Sequence, residues 1–223
     1  LKLNGSYRED ITDFVYLSSE KDNLEDERDH YKNKGFDVHW RSTTNYNNHG
    51  REKESPITPF FIKQSKVNQV QTLFHETCHD SIEHWIGYTF SSELNESFCN
   101  VVGFAGAVEY FKDRKLTKES EEALGSFTNY QEYSKKFNAL YKQLQMAYAS
   151  KTTIPEKIKT RNKLFEDAKT FAGSNVNNAV LWDGYPYTKY FPLMVQVYET
   201  QNKNVRAVVE KMKDCPKKEE DAL

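Results

Sequence analysis

Between Leu73 and Val102, His75-Glu76-Thr77-Cys78-His79 sets two imidazoles four positions apart, with a carboxylate next to the first. On a helix, residues four apart lie one above the other, so both imidazoles can reach the same tetrahedral ion. Glu76 then projects beside that ion, where it can take a proton from a bound water. Zinc suits such a site because it lowers the pKa of the water to about 7. Val67, Val70, Leu73, Phe74, Cys78, Ile82, Trp85 and Ile86 recur at helical spacing around the motif, which predicts an amphipathic helix over 66–87.

Two imidazoles do not complete a zinc site, and four nearby residues are candidates for the third ligand. At 100° per residue, Asp80 points about 140° from His75, and Glu83 lies a full turn beyond His79. His84 lies about 140° round from His79, on the wrong face of a continuous helix. Glu96 is the better choice. Gly87 can end the first helix, 88–92 can connect, and a second helix over about 93–113 can return beside the first. That second helix is apolar on more than one side, as a buried helix is.

His75-Glu76-x-x-His79 followed by Leu94-Asn95-Glu96-Ser97-Phe98 resembles the gluzincin metallopeptidases, and within them the aminopeptidase N signature. It is more similar still to a bacterial family of predicted aminopeptidases, through Leu73-Phe74-His75-Glu76, Asn95-Glu96-Ser97-Phe98 and the glycine-containing Val102–Ala107 stretch. Ser6-Tyr7-Arg8, Gly35-Phe36-Asp37-Val38, Asn177-Asn178-Ala179, Tyr187 and Pro192 continue the likeness outward. Cys78 stands where that family usually has a small residue. The resemblance implies one Zn²⁺ per chain on His75, His79 and Glu96, with Glu76 as general base and then acid. It implies a Tyr bracing the oxyanion, with Tyr187 placed best and Tyr185 and Tyr190 as neighbours that could serve instead. It also implies that a residue at the position of Asn100 orients the first His.

The fold expected is α+β and mostly α-helical: one metallopeptidase domain with a small N-terminal β-sheet and a helical C-terminal portion. Residues 1–65 are expected to be mainly strands and loops. Phe14–Leu17 and the alternating Phe36–Arg41 read as strands, Asp22–Lys34 as a helix ended by Gly35, and Thr43–Glu54 as a loop containing His49. Residues 55–62 read as an edge strand beside the zinc helix, able to pair with an extended substrate. Beyond the zinc helices at 66–113, residues 114–212 are expected to be helical. Thr117–Ala149 reads as one long helix or one broken at Gly125 and Asn129. A further helix from Thr153-Ile154-Pro155 runs to about 171. Gly173–Gly184 reads as a polar loop over the site, and 191–199 and 205–212 as the last helices. Residues 213–223 read as a disordered tail.

The net charge of −2 gives no reason to expect a nucleic-acid or anionic-membrane partner. Three Cys without paired spacing read as buried thiols at Cys78 and Cys99 and a tail thiol at Cys215. No apolar run is long enough to span a membrane. No signal peptide is visible, although the chain starts at Leu1 without Met. The family resemblance implies a periplasmic, cell-surface or secreted location. The function expected is zinc-dependent hydrolysis of a peptide or protein substrate, as an aminopeptidase. The alternatives are an endopeptidase on the same site and a non-catalytic zinc-containing module. Glu52 and Glu54 lie where an amine anchor is needed but without a motif, and Glu109 in Gly106–Tyr110 follows the zinc helix, so its likeness to an anchor motif is read as coincidence.

Overall fold

The computed structural model describes residues 21–39, 58–85 and 90–214, with side chains at 24–39, 58–82 and 90–214. Every regular element among these residues is helical. They are α1 (Lys21–Asn33), α2 (Pro59–Lys63), α3 (Lys66–Trp85), α4 (Ser92–Asp113), α5 (Thr117–Ala149), α6 (Ile154–Ala172), α7 (Asn178–Thr188), α8 (Phe191–Thr200) and α9 (Val205–Met212). The expected N-terminal β-sheet is therefore corrected: the described residues form an all-α fold without a strand. The expected strand at 14–17, the loop at 43–54 and Cys215 lie outside the described residues.

Two local reasons account for the missing strands. Thr58 precedes Pro59, and its hydroxyl accepts the Phe61 N–H at 3.1 Å, while Pro59 occupies the first helical turn with its φ already set. Residues 59–63 thus form a helical turn in place of the expected edge strand, and the Gln69 side chain donates to the Ile62 carbonyl at 2.9 Å. In 36–39, one carbonyl that a ladder would use and the Asp37 side chain are taken by the start of α7. Asn177 donates to the Val38 carbonyl at 3.1 Å, and Asn178 donates to Asp37 Oδ2 through its backbone at 3.1 Å and its side chain at 2.6 Å.

The chain divides into two compact units, passing between them within α5 and within α7. One unit holds α1, α5 from Lys136, α6 and α7 as far as Tyr185. There the buried Tyr148 hydroxyl donates to Asn178 Oδ1 at 2.7 Å, and Lys157 donates to the Tyr148 carbonyl at 2.6 Å. Asn177 caps α7 by accepting the Val180 N–H at 3.0 Å. The Asn-rich stretch expected as part of a loop is thus a helix start. His39 lies 3.5 Å from Asp183.

The other unit holds α2, α3, α4, α5 up to Lys135, and the chain from Pro186 through α8 and α9. Its centre is α4, which packs most extensively against α3 and also against α8 and α9. Phe98, Cys99, Val101, Val102, Phe104 and Ala105 are all buried there, because α4 carries apolar residues around most of its circumference. Phe104, Phe127, Tyr130 and Phe191 interlock at ring-centroid distances of 4.7–6.1 Å. α5 runs unbroken through Gly125 and Asn129.

Two glycines set the spacing of α3 and α4. A Cβ on Gly103 would lie 2.9 Å from the Gln71 carbonyl oxygen and 3.2 Å from His75 Cβ; one on Gly106 would lie 2.9 Å from the Phe74 ring. The absence of a side chain lets the helices approach closely where His75 must face α4.

Candidate metal centre

His75 and His79 stand one turn apart on α3 and point toward Glu96 in the first turns of α4. Their Nε2 atoms are 3.0 Å apart, and each lies 3.4 Å from Glu96 Oε2. The three side chains are 13%, 9% and 21% exposed, so the cluster lies just below the surface. Among the described residues these three form the one group of His, Cys, Asp or Glu spaced to hold a metal ion. Asp80 is exposed and outside it; the side chains of Glu83 and His84 lie outside the described residues.

The tautomer of His79 is set from behind. Its Nδ1 lies 3.3 Å from Asn95 Oδ1, an acceptor, so Nδ1 carries the proton and the Nε2 lone pair faces the cluster. The Cys99 thiol also points at Asn95 Oδ1, at 3.6 Å, and the same orientation of the amide serves both. The family resemblance points to Asn100, one turn after Glu96, as the residue behind an imidazole, whereas Asn95 is the residue that stands behind His79. The available signal was its place immediately before the ligand, about 100° round the helix toward the α3 flank.

Burial alone pushes the Glu96 carboxyl upward, but the two imidazoles outweigh it and hold the group at about 2. His79 is shifted the other way: burial lowers it, and the carboxylates of Glu96 and then Glu76 raise it further than burial takes away. Glu76 is half-buried on α3, and its charge reaches the cluster.

The cluster fits a zinc ion on its own geometry. Ligands at 2.0–2.1 Å from a tetrahedral ion lie about 3.3 Å from one another, and the observed edges bracket that length. Glu96 Oε2 is buried without a hydrogen-bond partner among the described residues, although such an atom normally has one. A proton could serve one edge of this triangle. A divalent cation would match all three edges.

The segment 186–190 is tied to α4 by hydrogen bonds. Ser97, fully buried, donates to the Pro186 carbonyl at 2.9 Å and accepts the Tyr190 N–H at 3.1 Å. Lys189 lies 3.5 Å from Glu93, and the Asn100 amide donates to the Tyr130 hydroxyl at 3.1 Å and the Tyr187 carbonyl at 3.4 Å. Asn100 is therefore tied to this segment, where the sequence reading had put it behind the first His. Held this way, the Tyr187 ring stacks along His75 at 6.3 Å between centroids, with 27° between planes. Tyr185 belongs to the other unit, where it stacks on Tyr141 at 3.7 Å, and Tyr190 carries Lys189 over its ring at 4.7 Å.

Residues 19–223 match the family model described as "Putative aminopeptidase". The chain belongs to this family. No curated protein and no solved structure matches it.

The aminopeptidase family name raises the question of an acidic partner for a free α-amine. Glu109 is committed elsewhere: it accepts the Val205 N–H at 2.9 Å, capping α9, and the Tyr198 hydroxyl at 3.5 Å. Burial raises the pKa of Glu109 despite these bonds, and burial together with the Glu109 charge pushes Tyr198 up to about 12. Glu52 and Glu54 lie outside the described residues. No described helix is long and apolar enough to cross a membrane.

Proposed function

We propose that this chain is a zinc metallopeptidase of gluzincin type acting on the amino termini of peptides, with one Zn²⁺ held by His75, His79 and Glu96. The observation that carries this reading is the triangle of Nε2, Nε2 and Oε2 atoms with edges of 3.0, 3.4 and 3.4 Å. Zinc bound at these atoms supplies Lewis acidity and a water of lowered pKa. Asn95 holds the His79 ring in the tautomer that presents its lone pair. Glu76, one position after His75, takes the proton from the attacking water and returns it to the leaving amine. The Tyr187 hydroxyl serves as donor to the developing oxyanion, on a ring that Ser97 and Asn100 keep beside His75.

The test combines peptidase assays on free-amine and N-blocked peptides with metal analysis of wild type and Glu76→Gln. Cleavage of free-amine peptides only, lost in Glu76→Gln with zinc retained, supports the proposal. Equal cleavage of N-blocked peptides assigns the same centre to an endopeptidase. Retained zinc without turnover on any peptide removes the catalytic reading.

A further inference from the structure

Behind the imidazoles, α3 and α4 bring two thiols face to face. Cys78 and Cys99 are 4% and 0% exposed, and their sulfurs are 2.6 Å apart. That is nearer than non-bonded sulfur atoms rest against each other. Both are free thiols here. Among the described residues, apart from the 3.6 Å contact of the Cys99 sulfur with Asn95, each thiol's hydrogen-bonding neighbour is the other. Cys78 immediately precedes His79, and Cys99 lies three residues after Glu96. A bond between them would fix the register of the two helices that supply the three clustered ligand atoms.

We propose that Cys78 and Cys99 form a disulfide that joins α3 to α4 beneath the His75–His79–Glu96 cluster. The oxidant is a dithiol–disulfide exchange partner, either a small-molecule disulfide or the disulfide of an oxidoreductase. One cysteine thiolate attacks the oxidant's S–S bond and expels one thiol. The second cysteine thiolate then displaces the other thiol from the mixed disulfide. Two protein S–H bonds are lost, one S–S bond forms, and the oxidant leaves as two thiols, so electrons and protons balance. Because both sulfurs are buried, exchange takes place before the helices close, during folding. The inference does not depend on the peptidase reading, since it rests on the thiol pair alone.

The experiment uses the full chain refolded in a mixture of reduced and oxidised glutathione, in which a mixed disulfide on an unpaired cysteine is returned to the thiol, then denatured and alkylated without reductant. One alkyl group, on Cys215, is expected, rising to three after reduction. No Lys or Arg lies between Lys66 and Lys112, so trypsin releases both cysteines in one peptide, which should be two hydrogen atoms lighter than its reduced form. Reduction of the oxidised protein should lower Tm by about 10 °C, and the double variant Cys78→Ala/Cys99→Ala should show no such redox dependence. Three alkylated cysteines without reductant, a cross-link through Cys215, or identical melting of oxidised and reduced wild type would each overturn the proposal.

Discussion

Gly103→Ala tests whether the ligand geometry depends on the close approach of α3 and α4. The added methyl would meet the Gln71 carbonyl at 2.9 Å and His75 Cβ at 3.2 Å, so α3 must retreat by about half an ångström to restore ordinary contact. Two opposing effects follow. Alanine in place of glycine inside a helix stabilises by about 1 kcal/mol, whereas overpacking against backbone costs about 1–3 kcal/mol. Gly125 provides the control, because nothing lies within 4 Å of its would-be Cβ in α5. Gly125→Ala is expected to gain the helix term alone. The difference between the two variants therefore isolates the packing cost. At about 2–4 °C per kcal/mol for a chain of this size, a packing cost of about 1–3 kcal/mol should make Gly103→Ala melt about 2–12 °C below Gly125→Ala. Its zinc affinity, measured by chelator competition, should fall by at least about tenfold because His75 moves with α3. Equal or higher melting of Gly103→Ala with unchanged zinc affinity would refute the reasoning.

Asn95→Ala should weaken zinc binding by about 10–100-fold in the same competition assay, because the His79 tautomer loses its acceptor; unchanged affinity would show that the 3.3 Å contact is incidental. Ser97→Ala should lower kcat by about tenfold with zinc content unchanged, and the loss should disappear in a Tyr187→Phe background, since Ser97 acts only by placing that ring. An equal loss in both backgrounds would make Ser97 a packing residue only. Glu109 gives a pH prediction. Its pKa is raised by folding, so the native state holds more protons than the unfolded chain between the two pKa values, and its stability contribution is lost as pH rises through that window. Glu109→Gln should therefore raise Tm at neutral pH and leave it nearly unchanged below the unfolded carboxyl pKa; a lower Tm at neutral pH would mean that the bonds to Val205 and Tyr198 outweigh the burial.

The parts of the fold that were legible in the sequence are those where periodicity and chemistry coincide. The apolar spacing around His75 and His79 marks α3 to within two residues of its end, and the nearly all-apolar stretch from Phe98 to Val108 marks α4 as the central helix. The two clustered imidazoles could be named because helical spacing sets the face they share, whereas Glu96 needed a second helix returning beside the first and the family resemblance. The strands failed because a short apolar run with prolines looks the same as an edge strand or a capped turn, and only the hydroxyl of Thr58 on the Phe61 N–H decides it. Residues 36–39 alternate like a strand, yet Asn177 and Asn178, some 140 positions away, take the Val38 carbonyl and the Asp37 side chain. No local pattern encodes that. Asn95 and Ser97 flank Glu96, and their position beside the ligand does not by itself assign their roles, which depend on which neighbour each side of α4 meets.

The most direct test of the central claim is the zinc content of wild type, Glu96→Ala and Glu76→Gln after exhaustive dialysis. One zinc per chain in wild type and Glu76→Gln, and none in Glu96→Ala, is the predicted result. A full equivalent retained by Glu96→Ala would contradict the account, because the ion would then be held somewhere other than the triangle of His75, His79 and Glu96.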